Sequence, residues 1–471
     1  MTDIIDLSHH IEKLPGGGLV LTLNTGAVIG PEEQAMLGAL YSRSPGSVLQ
    51  HLDTIATKGA AHFMSQFYVG YGHKSIGDCG DACVFIEGVS MLAAKAIQDF
   101  PLYNGQEVST RYVDFSKQPF IDPINNSASE QILDGWRGFY LEALEELVPH
   151  LTEKFPRGEG ESEAAYTKAI KARAFDIARA FLPAGASTNL VWVGTLRQFA
   201  DRLLVLRNHP LEEIKMIALA IEKGLLETYP NSFAKTITNS ETGEYEPKRY
   251  QATENYADMC QEDFAYFDPD EFSKHVCCTH NMVLEDRMKE YESCLSTRPP
   301  KTELPYRIRE CGMAEFEFLL DFGSFRDLQR QRSVIIPMPL LTSDFGFEEW
   351  YLNELPELLR EKAEKVIASQ LELIFNLDLS DDWYGYELEQ YYLPMGFRVP
   401  IRMMGDLRAL VYVAELRATS LVHPTLSTKM VVFAELLLEL YGRYGLVLHL
   451  DPEPGRFNVK RGEHDIVQNV S

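Results

Sequence analysis

The residues best suited to chemistry stand at the end of one stretch, Tyr71 to Tyr112, where Glu107, Ser109, Arg111 and Tyr112 follow a Gly-bearing loop. Arg can grip a phosphate through two N–H groups. A hydroxyl two residues earlier and the loop's backbone amides can fill the remaining oxygens, so Ser109 and Arg111 read as an anion cradle. A solvated surface loop is the bland alternative. Upstream, Gly72-His73-Lys74-Ser75 supplies a turn with an imidazole and a hydroxyl. Two elements must position these groups. ACVFIEG reads as a short buried strand, and GVSMLAAKAIQDF carries Val89, Leu92, Ala93, Ala96 and Ile97 at helical spacing before Pro101, which cannot continue a helix.

A second cluster, His275-Val-Cys-Cys-Thr-His280, pairs imidazole with thiolate, both zinc ligands. Adjacent cysteines are awkward for one tetrahedral ion, and no second ligand pair stands at finger spacing, so no metal is expected. The seven cysteines (Cys79, Cys83, Cys260, Cys277, Cys278, Cys294, Cys311) are odd in number and scattered, which fits reduced thiols. Cys79 and Cys83 flank the first strand and read as core residues.

The chain of 471 residues is 45% hydrophobic and 11% aromatic, enough for sizeable cores in two or three domains. Its formal charge of -25 argues against coating a nucleic acid, which needs clustered Lys and Arg. A small anionic ligand still fits if a local basic pocket overcomes the global field. No run approaches the length of a membrane span, and MTDIIDLSHHIEKL has neither a basic leader nor an apolar h-region, so a cytoplasmic protein without membrane contact is expected.

Helices are expected from Pro31, over Val48 to Phe67, from about Ser129 to Phe155 and from Ala164 to Phe181. Leu182-Pro183 then leads into the strand ASTNLVWV, a helix holding Arg197, Arg202 and Arg207, and a last helix opened by Pro210. A polar segment from about Thr236 to Lys248 reads as a linker. Beyond it the grammar returns. Ile308-Arg-Glu-Cys311-Gly312 echoes Ile76-Gly-Asp-Cys79-Gly80, and Leu393-Pro394, GFRVPI and DLRALVYVAELR echo Leu182-Pro183, ASTNLVWV and TLRQFADRLLVLR. The reading is two copies of one unit, residues 1–240 and 241–471.

The order Gly-His-x-Ser, strand, Ser-bearing helix, Glu-x-Ser-x-Arg-Tyr resembles the flavin-dependent thymidylate synthase family. That family carries Arg-His-Arg seven residues before Ser-x-Arg-Tyr. The first copy has Asp99, Phe100 and Pro101 at the triplet but keeps Ser109, Arg111 and Tyr112; the second copy has Arg330, Gln331 and Arg332 and lacks Ser-x-Arg-Tyr. Asp406-Leu-Arg408 followed by Arg417 resembles the family's Asn-x-Arg helix and its second arginine. The fold this implies is α/β of the α+β type, two fused synthase-like units with mixed sheet and long helices.

The resemblance implies an FAD enzyme that moves a one-carbon unit from methylenetetrahydrofolate to C5 of a uridine monophosphate, with NADPH as reductant. It implies that Ser109, Arg111 and Tyr112 hold the phosphate, that Arg417 and Arg408 meet the pyrimidine ring, and that Glu107 orients the ribose or a water. Arg330, Gln331, Arg332 and His73 would contact the cofactor. Family members are homotetramers, so a fused chain is expected to work as a homodimer. The competing readings are a non-catalytic nucleotide-binding or scaffold homologue, and an enzyme of the same fold acting on a different pyrimidine nucleotide.

Overall fold

The computed structural model describes residues 9–13, 19–23, 29–44, 47–64, 67–68, 74–111, 115–233, 264–379 and 383–451. The strands are β1 (His9–Lys13), β2 (Leu19–Leu23), β3 (Asp81–Ser90), β4 (Asn104–Glu107), β5 (Ser187–Thr195), β6 (Cys277–Val283), β7 (Gly312–Asp321) and β8 (Arg398–Asp406). The helices used below are α1 (Pro31–Arg43), α2 (Val48–Lys58), α3 (Met91–Gln98), α4 (Ser127–Lys154), α5 (Glu163–Ala178), α6 (Leu196–Leu206), α7 (Glu212–Thr228), α8 (Phe322–Leu328), α9 (Glu357–Phe375), α10 (Leu407–Arg417) and α11 (Pro424–Tyr441). The fold is α+β, with long helices and small sheets in the orders β1-β2, β3-β5-β4 and β6-β7-β8. The pairing of β7 with β6 and with β8 is antiparallel throughout, where the sequence suggested mixed sheet.

Local chemistry sets the element ends. Pro31 opens α1 with Glu32 and Glu33 in the first turn, where the missing N–H costs nothing and carboxylates face the positive helix end. Asn126 caps α4 in a reciprocal arrangement with Ser129. The single helix expected over Val48 to Phe67 is broken: α2 stops at Gly59, whose φ of 64° lies in the left-handed region. The strand read as buried is covered on one face only, with Ala82 and Ile86 buried but Phe85 73% exposed. Alternation along a strand makes this the natural outcome. Cys79 and Cys83 are likewise exposed rather than core, while Cys311 is buried.

Contacts divide the described residues into two compact units that do not follow chain order. The first comprises those within Met1–Ile86, Leu102–Gln106 and Leu190–Asp263, the second those within Glu87–Pro101, Glu107–Asn189 and Phe264–Ser471. In the first unit Trp192 and Phe199 pack with ring centroids 4.1 Å apart, and the Tyr103 hydroxyl donates to the Val191 carbonyl at 2.7 Å. The second unit is built on α4, whose Trp136, Phe139, Tyr140 and Leu147 are buried. Each such large side chain contributes about 1.5–3 kcal/mol by leaving water. The Trp136 indole N–H donates to the Tyr392 carbonyl at 2.9 Å, so the buried donor is satisfied.

Inside the second unit, two Leu-Pro segments exchange backbone hydrogen bonds reciprocally. Ala184 N–H donates to Leu393 O (2.9 Å) and Met395 N–H to Leu182 O (2.9 Å); Gly185 N–H donates to Tyr391 O (3.0 Å) and Gly396 N–H to Ala180 O (2.8 Å). Each helix start repeats the pattern. Met91 and Leu92 donate to Ala186 and Ala184, and Phe322 and Gly323 donate to Phe397 and Met395. Ser90 caps α3 through the Ala93 N–H, and Asp321 caps α8 through the Ser324 N–H. No helix of the described residues is long and apolar enough to cross a membrane.

Candidate active site

The segment after β4 places Ser109 and Arg111. The Ser109 hydroxyl oxygen accepts the Arg111 N–H at 3.3 Å, a local turn contact of the kind short hydroxyl side chains favour. Arg111 is buried, and its guanidinium forks onto the Asp176 carboxylate of α5, with Nε at 2.7 Å from Oδ1 and Nη2 at 2.9 Å from Oδ2. Nη1 donates to the Leu421 carbonyl at 3.2 Å. Two matched hydrogen bonds offset the cost of burying both charges. Tyr112 and His73 lie outside the described residues.

The end of α8 gathers the second group. Arg417 Nη2 donates to the Asp327 carbonyl at 2.9 Å, and Arg330 Nη1 lies 3.6 Å from Asp327 Oδ1. With its amide oxygen turned inward, the buried Gln331 accepts from Arg417 Nη2 at 2.7 Å and Nε at 3.2 Å. Burial pushes the Asp327 carboxyl up, but Arg417, Arg179, Arg111 and Arg330 outweigh it and hold the group below the usual range. Arg417 is pushed down by burial and by Arg330 and Arg111. Arg330, Gln331 and Arg417 thus gather at Asp327, and the charge of Arg111 reaches the same carboxyl. Arg332 is exposed at the same helix end.

Arg408 is not among them. Its Nε donates to the Leu304 carbonyl at 2.9 Å and its Nη2 pairs with Glu303. Nine residues along a helix is a rotation of roughly 900°, which leaves Arg408 and Arg417 on opposite faces of α10.

Glu107 is sequestered. Lys95 Nζ lies 2.7 Å from its Oε2, Gln98 donates to the same oxygen at 2.9 Å, and Arg326 binds Oε1. Burial raises the Glu107 carboxyl, but Arg326 and Lys95 overcome that and hold it at about 2, while burial brings the Lys95 ammonium down to about 8. Both carboxylate oxygens are engaged, so the expected role of orienting a ribose or a water finds no support in this geometry.

Sequence reasoning missed a buried polar network next to Arg111. Tyr351 donates to Asp321 Oδ2 at 2.7 Å, and Arg179 Nη2 reaches Ser324 Oγ at 3.1 Å. Ser324 and Thr425 share a hydrogen bond at 2.7 Å. His423 Nδ1 accepts the Thr425 N–H at 3.4 Å, which leaves Nε2–H to donate to the Asp176 carbonyl at 3.2 Å. Burial, then Arg179 and Arg111, hold this imidazole neutral, far below the usual range. A signal was present in the sequence: His423-Pro424 repeats His209-Pro210, and His209 Nδ1 likewise accepts the N–H two residues on, from Leu211 at 3.1 Å. His209 is pushed down to about 3 by burial and Arg202.

In the Cys-Cys segment, His280 Nδ1 lies 3.1 Å from Glu315 Oε1 on the exposed side of β6 and β7. Among the described residues no three metal-ligating side chains come together.

Residues 30–231 match the family model described as thymidylate synthase complementing protein. A protein of Chlamydia pneumoniae named as a UPF0159 protein is 25% identical over 452 residues, covering 85% of this chain and 83% of its own. The UPF0159 protein of Chlamydia muridarum is 25% identical over 433 residues, covering 82% and 80%. A UPF0159 protein of Thermoplasma acidophilum is 23% identical over 421 residues, covering 78% and 84%.

Proposed function

We propose, from the match of residues 30–231 to the thymidylate synthase complementing protein family model, that the chain is a flavin-dependent thymidylate synthase-like enzyme. It transfers a methyl group to C5 of a uridine monophosphate, dUMP giving dTMP, with methylenetetrahydrofolate and NADPH. The observation that carries this reading is the gathering of Arg330, Gln331 and Arg417 at Asp327, whose carboxyl the charge of Arg111 also reaches. Two motifs that sit in different halves of the sequence converge in one unit.

In this reading Ser109, Arg111 and Tyr112 hold the 5'-phosphate, and Arg417 donates to a uracil carbonyl, which favours electron density at the attacking ring carbon. Arg330 and Arg332, exposed at the end of α8, suit the anionic part of FAD, and Gln331, bonded to Arg417, and His73 are the further cofactor residues of this reading. The chemistry FAD supplies when bound is the passage of reducing equivalents from NADPH to the transferred carbon. The tandem repeat is supported by the reciprocal Leu-Pro pairing and by the matched caps of α3 and α8. The homodimer remains part of the proposal.

The test is the absorption spectrum of the purified protein. Oxidised-flavin bands are expected, and Arg330→Ala should weaken FAD at least tenfold, since removing one partner of a desolvated charge contact costs about 2–5 kcal/mol. A colourless protein that ignores added FAD would sink the reading. One observation favours the non-catalytic alternative: Glu107 is sealed in an ion cluster. Under that alternative the protein binds deoxyuridylate and forms no thymidylate.

A further inference from the structure

We propose that Asp176 is the positioning residue of the Ser109 and Arg111 anion cradle, fixing where the guanidinium meets an oxyanion; this rests on the nucleotide reading above. Asp176 is 0% exposed, and a carboxylate so placed costs several kcal/mol unless it is paired. Its pairing with Arg111 is side-on and bidentate, the arrangement that sets a guanidinium plane most tightly.

Asp176 is itself held. It lies in the last turns of α5, and its carbonyl receives Nε2–H of the buried His423, whose Nδ1 is occupied at the start of α11. Arg111 makes its third contact with the Leu421 carbonyl, two residues before that imidazole. The plane of Arg111 is thus tied to α5 and to the segment entering α11.

Charge explains why a carboxylate stands there. Arg111 acts electrostatically on Arg417 and on His423, and Arg179 and Arg330 press on the same neighbourhood. Cations so gathered repel one another, so an uncompensated Arg111 would swing away from the cradle. Asp176 holds it in place, leaving Ser109 two residues away to complete the contact.

The experiment compares calorimetric affinities for 2'-deoxyuridine 5'-monophosphate and for 2'-deoxyuridine in the full chain, in Asp176→Asn and in Asp176→Glu. The wild-type protein should prefer the monophosphate strongly. Asp176→Asn should cut that preference at least tenfold while leaving nucleoside affinity unchanged, and Asp176→Glu should restore part of it. A merely structural ion pair would lower the unfolding temperature without moving the ratio, and an unmoved ratio in a folded Asp176→Asn variant overturns the proposal. If Asp176→Asn fails to fold, the Asp176→Glu ratio decides: unchanged from wild type, it overturns the proposal; reduced, it supports it. A wild-type protein that does not discriminate between the two ligands overturns the nucleotide reading itself, and the proposal with it.

Discussion

Lys95 and Arg326 close on one carboxylate, that of Glu107, from matching positions of two helices: each stands five residues after its cap, Ser90 for α3 and Asp321 for α8. Arg326 also places Nη1 3.1 Å from the Met91 sulfur and 3.3 Å from that of Met395. One anion thus serves two buried cations. Breaking such a cluster costs more than making it contributes, because the charge left behind is uncompensated.

Glu107→Gln is therefore expected to destabilise the protein by about 3–5 kcal/mol, read from urea unfolding at neutral pH. The pH dependence has a definite sign. Glu107 titrates at about 2 in the folded chain against an ordinary 4.5, so its contribution is complete above 4.5 and is lost as the pH falls from there towards 2. In Glu107→Gln that part of the acid sensitivity should vanish. Equal loss of stability between pH 4.5 and 2 in both proteins would show that the cluster contributes nothing.

Tyr351 stands 0% exposed with its hydroxyl 2.7 Å from Asp321 Oδ2, and burial pushes its phenol well above the usual range. Tyr351→Phe keeps the packing but removes a donor from a buried carboxylate, and Asp321 Oδ1 has no hydrogen bond among the described residues. The expected loss is about 1–3 kcal/mol, measured by thermal unfolding. No change in midpoint would mean that water replaces the hydroxyl without cost.

Much of this was legible in the sequence because it depends on local rules. Pro31, Asp406 and the pattern of α4 mark helices through capping and periodicity alone. The complementary motifs singled out Arg111, Arg330 and Arg417, which lie in the same compact unit. Asp176 was not, because within α5 a lone aspartate looks like any polar helical residue until Arg111, 65 positions earlier in the chain, folds against it. The ion cluster of Glu107 was hidden for the same reason: its cations, Lys95 and Arg326, lie on two helices far apart in sequence. The opposite facing of Arg408 and Arg417 was legible in helix geometry, since nine residues separate them on one helix.

The last prediction concerns stoichiometry. In the proposed repeat, the stretch of the second half matched to Ser109 and Arg111 is apolar: Val334, Ile336, Met338, Leu340 and Leu341 are buried, and Ile335 and Met404 exchange backbone hydrogen bonds at 2.7 and 2.9 Å. An apolar segment pinned in this way offers a phosphate neither cation nor hydroxyl. The first half in turn has Asp99, Phe100 and Pro101 where the second has Arg330, Gln331 and Arg332. Under the proposed function one complete set forms per chain, and its members Arg111, Arg330, Gln331 and Arg417 all lie in the second compact unit. Calorimetric titration with deoxyuridylate should therefore saturate near one equivalent per chain. If the proposed set is assembled within one chain, mixing Arg111→Ala with Arg330→Ala protein should restore neither binding nor activity, provided that mixed oligomers are shown to form. Two equivalents of equal affinity, or recovery on mixing, would show that the site is assembled differently.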